Sequence, residues 1–102
     1  MNVNEYGGLF YLNVSYDISS ETSLSIHFTA PDGTVLITSA PVTVGSGNLS
    51  TPLGTFLSHQ YAVYTFQQGD ITQAGLWGAR LYYTDGSGKH LISNPSTFTV
   101  GP

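Results

Sequence analysis

The amino-acid sequence predicts an all-β chain folded as one antiparallel β-sandwich of about seven to eight short strands. Apolar and polar residues alternate with a period of two along most of the chain. Clusters of Gly, Pro, Asp, Asn and Ser interrupt that alternation roughly every 8–12 residues. Nowhere do apolar residues recur at helical spacing for three turns. The length of 102 residues is that of one domain, and no internal repeat is present. Two units are expected: an N-terminal arm over residues 1–8, ending in two glycines that can hinge, and an immunoglobulin-like sandwich over residues 9–102.

The elements follow in order. Residues 9–19, LFYLNVSYDIS, open the sandwich, with Phe10, Leu12, Val14 and Tyr16 on one face and Leu9, Tyr11, Asn13 and Ser15 on the other. In SLSIHFTA, residues 23–30, Leu24, Ile26 and Phe28 alternate with Ser25, His27 and Thr29. PDGT, residues 31–34, is a turn: Pro presets φ, Asp caps and Gly permits a positive φ. TVLITSAPVTV, residues 34–44, reads as a strand that Pro41 confines to an edge or breaks. GSGNLSTPLG, residues 45–54, is dense in Gly, Ser and Pro and longer than the usual hairpin connection, so a surface loop is expected, mobile by itself or ordered by a partner.

TFLSHQYAVYTFQ, residues 55–67, resumes the alternation, with Tyr61, Val63 and Thr65 opposite Ala62, Tyr64 and Phe66. QQGDITQAG holds one helical turn at most. GLWGARLYYT places Trp77, Ala79, Leu81 and Tyr83 inward and Gly78, Arg80 and Tyr82 outward. DGSGKH, residues 85–90, is a hairpin turn, and LISNPSTFTV supplies the last one or two strands. Leu24, Ile26, Phe28, Trp77, Leu81 and Phe98 are the expected core.

Asp70, Gly75 and Trp77 form an Asp, Gly-x-aromatic corner leading into a late strand. In immunoglobulin-like sandwiches an aromatic residue braces this corner. Asp70 is placed to accept hydrogen bonds from the turn, and Gly75 to adopt a backbone conformation closed to other residues. The alternative is an exposed Trp77 stacking on a sugar ring, which the alternation with Leu81 disfavours.

With that corner, DISSETSLSIHFTAPDGT, an aromatic strand, GDITQAGLW and a closing TFTV stand in a fixed order. The chain thereby resembles the small immunoglobulin-like structural domain of tailed-phage particles, and is similar to the N-terminal domain of phage baseplate upper proteins. The resemblance spans about residues 8–100 and rests on short motifs that also occur elsewhere. It implies a non-enzymatic virion component, made in the host cytoplasm, that packs against other virion proteins and further copies of itself. No further domain is expected after the sandwich, a departure from the baseplate protein that leaves a decoration, adaptor, tail or baseplate place open.

Composition sets the surface chemistry. Charged residues are 8% of the chain, against about 25% in ordinary soluble domains, and seven tyrosines are present. The two cations, Arg80 and Lys89, are too few for the basic stripe of a nucleic-acid binder or a polybasic membrane contact. No apolar run approaches the roughly 20 residues of a membrane-spanning helix. The opening MNVNEYGG lacks the pattern of a secretory signal, so use without export is expected and the Asn13-Val-Ser and Asn48-Leu-Ser sequons read as coincidence. With no Cys, disulfides and Cys-type zinc sites are excluded.

No catalytic pattern stands out. His27, His59 and His90 lack metal-ligand spacing, no Gly-x-Ser-x-Gly elbow occurs, and the carboxylates Glu5, Asp17, Glu21, Asp32, Asp70 and Asp85 show no pairing. We therefore expect no enzyme activity, no catalytic or metal residue and no cofactor. Attachment would fall to exposed aromatic and apolar residues, with Tyr6, Tyr11, Leu49, Leu53 and Tyr82 as candidates. A carbohydrate-binding module using surface aromatics, with a host-surface glycan as ligand, is the alternative; a small hydrolase is a more distant one.

Overall fold

The computed structural model describes residues 1–38 and 40–102. Its elements are β1 (Leu9–Asn13), β2 (Ser23–Thr29), β3 (Val35–Ile37), β4 (Thr43–Val44), β5 (Leu49–Thr51), β6 (Gly54–Phe56), β7 (Tyr61–Thr65), β8 (Gly75–Thr84), β9 (His90–Ile92) and β10 (Ser96–Val100). The described residues contain no helix. A three-stranded sheet has the order β1-β7-β4, and a five-stranded sheet has the order β10-β8-β2-β3 with β9 also on β8. All strand pairs are antiparallel.

The two sheets face each other across a core set by the expected alternation. Leu12, Ala62, Tyr64 and Phe66 come from one sheet side, and Ile26, Phe28, Trp77, Ala79, Leu81 and Tyr83 from the other; all are buried. Leu24 and Phe98 pack against them half-buried. Phe28 is the meeting point: its ring centroid lies 5.2 Å from Phe10, 5.4 Å from Phe66, and 5.9 Å from both Tyr64 and Phe98. Edge-on and tilted geometries of this kind suit the aromatic quadrupole and add about 0.5–1.5 kcal/mol per pair beyond burial.

The Trp corner forms as the sequence suggests. Trp77 is 2% exposed, and its Nε1 donates to the Gln73 carbonyl (3.0 Å). Gly75 has φ +127°, and a Cβ there would also come within 2.8 Å of Pro31. Asp70 is itself buried; its Oδ2 accepts from the Tyr64 hydroxyl (2.6 Å) and from the Gln67 N–H (2.8 Å). The carboxylate thus ties the end of β7 to the turn that leads into β8.

Several elements differ from expectation, each for a local reason. β1 stops at Asn13, and Ser15 takes φ 64°, so Tyr16 leaves the inward row and is exposed beside Tyr83 (6.0 Å). The run over residues 34–44, by contrast, is broken around Pro41, as that residue predicts. β3 lies at an edge of one sheet and β4 at an edge of the other, with Pro41 between them. Ser39 of that run lies outside the described residues.

Residues 45–54 are not an unstructured loop but lead into the β5–β6 hairpin. The hairpin folds beside Tyr61, whose ring lies 6.0 Å from Phe56 and whose hydroxyl donates to the Gly47 carbonyl (3.0 Å). Tyr61, on the outer row of β7, is consequently 4% exposed. A Cβ on Gly45 would fall inside the Tyr61 ring, so any larger residue here would have to displace that ring. The 90–100 run is split by a bulge: the register shifts by one between Tyr82↔Ile92 and Ala79↔Ser96. Ser93 fills the gap, its Oγ accepting from the Leu81 N–H (2.8 Å).

The N-terminal segment is docked. Asn2 pairs in parallel with Gly101, Val3 N–H donates to the Gly101 carbonyl (3.0 Å), and Asn4 N–H donates to that of Ile71 (2.8 Å). Gly7 N–H donates to the Phe66 carbonyl (2.8 Å).

Removing one donor from the buried Asp70 carboxylate should cost about 1.5–3 kcal/mol, the range for hydrogen bonds to charged groups. Tyr64→Phe is therefore expected to lower the urea midpoint with an unchanged m-value. A midpoint within error of wild type would show that Asp70 does not depend on this hydroxyl.

Candidate interaction surface

The outward row of each strand in the five-stranded sheet builds one face. β2 contributes Ser25, His27 and Thr29, and β8 contributes Leu76, Gly78, Arg80 and Tyr82. Pairing sets these rows side by side: Ser25 faces Tyr82, His27 faces Arg80 and Thr29 faces Gly78. Val35 and Ile37 of β3 flank β2, and Ile92 of β9 pairs with Tyr82. Four aliphatic side chains on this face stay more than half exposed: Val35 55%, Ile37 58%, Leu76 61% and Ile92 53%. A sheet face that buries nothing of its own normally carries polar residues outward.

At its centre the His27 and Tyr82 rings stack, with centroids 3.6 Å apart and planes at 13°. Beside the stack lies an open depression of about 290 Å³, lined by Thr29, Val35, Gly78, Arg80 and Pro95 as well as the two rings. It exists because Gly78 interrupts the outward row; the nearest atom to a Cβ there would be the Ser96 carbonyl oxygen at 4.0 Å. Arg80 is exposed and has no ion-pair partner among the described residues. Burial holds the His27 imidazole below its ordinary value, so the stack is neutral at physiological pH.

The residues expected to mediate attachment do not converge. Tyr6 (59% exposed) is on the N-terminal segment, and Leu53 (89% exposed) is at the tip of the β5–β6 hairpin. Tyr82 is half-buried in the stack on the five-stranded sheet. Tyr11 and Leu49 are linked through neighbours: Leu49 pairs with Phe56, whose ring approaches Tyr61, whose ring in turn lies 6.1 Å from Tyr11. The alternation places His27 and Arg80 outward but does not join them to Tyr82, because it carries no information about strand pairing. Val35, Ile37, Leu76 and Ile92 were not among the expected contact residues, although each sits at an outward position of an alternating strand.

Acidic groups gather elsewhere. Glu21 is raised above its ordinary value by burial and then by the nearby Asp85 and Asp17, and its Oε2 is buried without a hydrogen-bond partner. Asp17 and Asp85 themselves are held low by hydrogen bonds within their turns, Ser19 N–H to Asp17 and Lys89 N–H to Asp85 foremost. Among the described residues no group of three or more His, Asp or Glu side chains is arranged to hold a metal ion.

No protein-family model, curated protein or solved structure matches the chain.

Two titrations test these environments. The His27 imidazole should titrate below the ordinary histidine value by NMR, and Tyr82→Ala should move it upward by uncovering the ring. Because folding depresses this pKa, the stability it contributes is complete above the ordinary value and is lost as pH falls through the folded one. An unchanged His27 pKa in Tyr82→Ala would show that the stack does not desolvate it. Glu21 has the opposite sign: its raised pKa favours the fold below the ordinary glutamate value, and that advantage disappears as pH rises. Glu21→Gln should therefore raise the melting temperature at pH 7 and leave it unchanged at pH 3; equal shifts at both pH values would contradict this.

Proposed function

We propose that the chain is a non-enzymatic, immunoglobulin-like assembly module that packs against other proteins and further copies of itself in a tailed-phage particle. The observation that carries this reading is the outer face of the five-stranded sheet. Its exposed Val35, Ile37, Leu76 and Ile92 surround one unpaired cation and a neutral aromatic stack. An apolar, charge-depleted patch of this kind suits protein contact. The strand order supports the immunoglobulin-like reading. Connections between sheets place β1, β7 and β4 together and β3, β2, β8 and β10 together, so that β2–β3 and β8–β10 are antiparallel neighbours flanking the central β2–β8 pair. The phage setting rests on the motif resemblance described above.

The glycan alternative cannot use Trp77, which is buried, but exposed Tyr6, Tyr11 and Tyr16 and the His27–Tyr82 wall beside Arg80 remain open to a flat ligand.

With two cations and six carboxylates in the whole chain, attraction must come from apolar and aromatic burial rather than ion pairs. Association with particle proteins, measured from low to high salt, should vary little for wild type. It should weaken more for Tyr82→Ala, Tyr11→Ala and Ile37→Ser than for Arg80→Ala. Loss at moderate salt, or only on removing Arg80, would reject this reading and indicate an anionic partner; binding to polysaccharide alone would favour the glycan module.

A further inference from the structure

We infer that two copies of this chain join by antiparallel pairing of their β1 edges, extending the three-stranded sheet across a two-fold axis through Tyr11. This edge contact specifies the partner within the self-association already proposed, and rests on that reading.

An unpaired sheet edge presents free N–H and C=O groups that another strand can complete, and proteins guard such edges by shortness, charge, Pro, bulges or a covering segment. The edges of the two main sheets differ in those guards. β4 has two residues, and β3 and β9 have three each, so each offers little template. β10 is as long as β1 and equally uncharged, but the bulge at Ser93 bounds it at one end and the parallel Asn2–Gly101 bridge at the other. The remaining edge, β1, is five residues long, LFYLN, with no charge, Pro or Gly, and its register against β7 is unbroken from Leu9↔Thr65 to Asn13↔Tyr61.

The free groups of β1 can be assigned. Val14 N–H donates to the Gln60 carbonyl, and Phe66 N–H donates to that of Gly8. These bonds fix the parity of the ladder, because antiparallel pairs alternate between bonded and non-bonded. Phe10 and Leu12 therefore bond β7, while the N–H and C=O of Leu9, Tyr11 and Asn13 point to the open edge. A second β1 can meet them only in registers that pair odd residues with odd residues. The two-fold through Tyr11 gives the fullest overlap: Leu9 with Asn13 of the other copy, Tyr11 with Tyr11, and Asn13 with Leu9. All the outward backbone groups are then satisfied.

The same register aligns side chains. Tyr11 already lies edge-on to Tyr61 at 6.1 Å, and the two-fold sets both such pairs side by side on the outer face. Leu9, 54% exposed, gains cover at the same time. β1 itself brings no charge to the contact, so the net charge of −4 on each copy is not concentrated there. A five-residue edge buries less than the roughly 1,200–2,000 Å² of a stable interface. The contact is accordingly weak for an isolated pair and effective where many copies are held together.

The test is sedimentation equilibrium and amide exchange of the full chain across concentration, from about 10 μM to about 1 mM. The expected result is reversible dimer formation at the upper end, with the Leu9, Tyr11 and Asn13 amides slowed at least tenfold and those of Phe10 and Leu12 little changed. Tyr11→Pro removes the central outward donor without touching the β7 ladder, and Leu9→Lys adds an edge charge. Both should remain folded by buried-Trp fluorescence and stay monomeric, whereas Val35→Lys on β3 should still dimerise. Three results would overturn the inference: a wild type that is monomeric throughout, dimerisation that persists in folded Tyr11→Pro, or dimerisation without protection of the odd-numbered amides. If the wild type is monomeric alone but those amides become protected on mixing with particle proteins, the edge takes a foreign strand and the second copy is rejected. A wild type that stays monomeric throughout yet binds particle proteins through the outer face rejects this edge and leaves the assembly reading standing.

Discussion

The fold depends on Phe28. Its backbone sits in the middle of the five-stranded sheet, opposite Ala79 on one side and Leu36 on the other, and its fully buried ring reaches the facing sheet. Phe10 and Phe66 meet it there from β1 and from just beyond β7, while Phe98 closes the cluster from β10 and stacks on Trp77. In a chain of this size, where net stability is typically about 5–15 kcal/mol, truncating one such ring costs about 3–5 kcal/mol. The aromatic cluster thus links both sheets and the Trp corner through one packed contact set, and with so few charges available it has little electrostatic support.

Polar groups then fix what apolar packing leaves free. Hydrophobic contact is non-directional, so it does not by itself choose where a connection turns. Asp70 does so at the β7–β8 crossover by accepting from Tyr64 and Gln67. Tyr61 does so at the other end of β7, holding the Gly45–Gly47 backbone under its ring and hydroxyl. Ser93 does so at the bulge, where its side chain substitutes for a ladder partner. Each is a residue whose polar atom would be costly to bury unpaired.

The surface divides the same chemistry into two kinds of opportunity. The outer face of the five-stranded sheet offers side chains, aliphatic at its margin and aromatic at its centre. The β1 edge offers backbone groups in a fixed parity. Contacts of the first kind are tuned residue by residue, whereas contacts of the second are specified by register and are largely indifferent to side-chain identity. On the assembly reading proposed above, the first would attach the chain to a different protein and the second would adjoin its own copies.

The sequence by itself determined which residues face inward. Period-two alternation assigned Ile26, Phe28, Trp77 and Leu81 to the core, and the chemistry of Gly75 and of the Asp85–His90 turn to their places, because a strand's two faces and a turn's φ requirements are local properties. It also determined the scarcity of charge, which needs no structure to read. Only the tertiary structure decided that Pro41 separates strands of opposite sheets and that Tyr16 leaves its row. It likewise decided that the apparent loop after Gly45 is a hairpin against Tyr61, and that His27, Arg80 and Tyr82 share one face. Tyr6, Leu53 and Tyr82, grouped by type when read along the chain, are dispersed in space. The reason is that alternation fixes the side of a strand on which a residue lies, while strand order and register are set by long-range pairing that neighbouring residues do not encode.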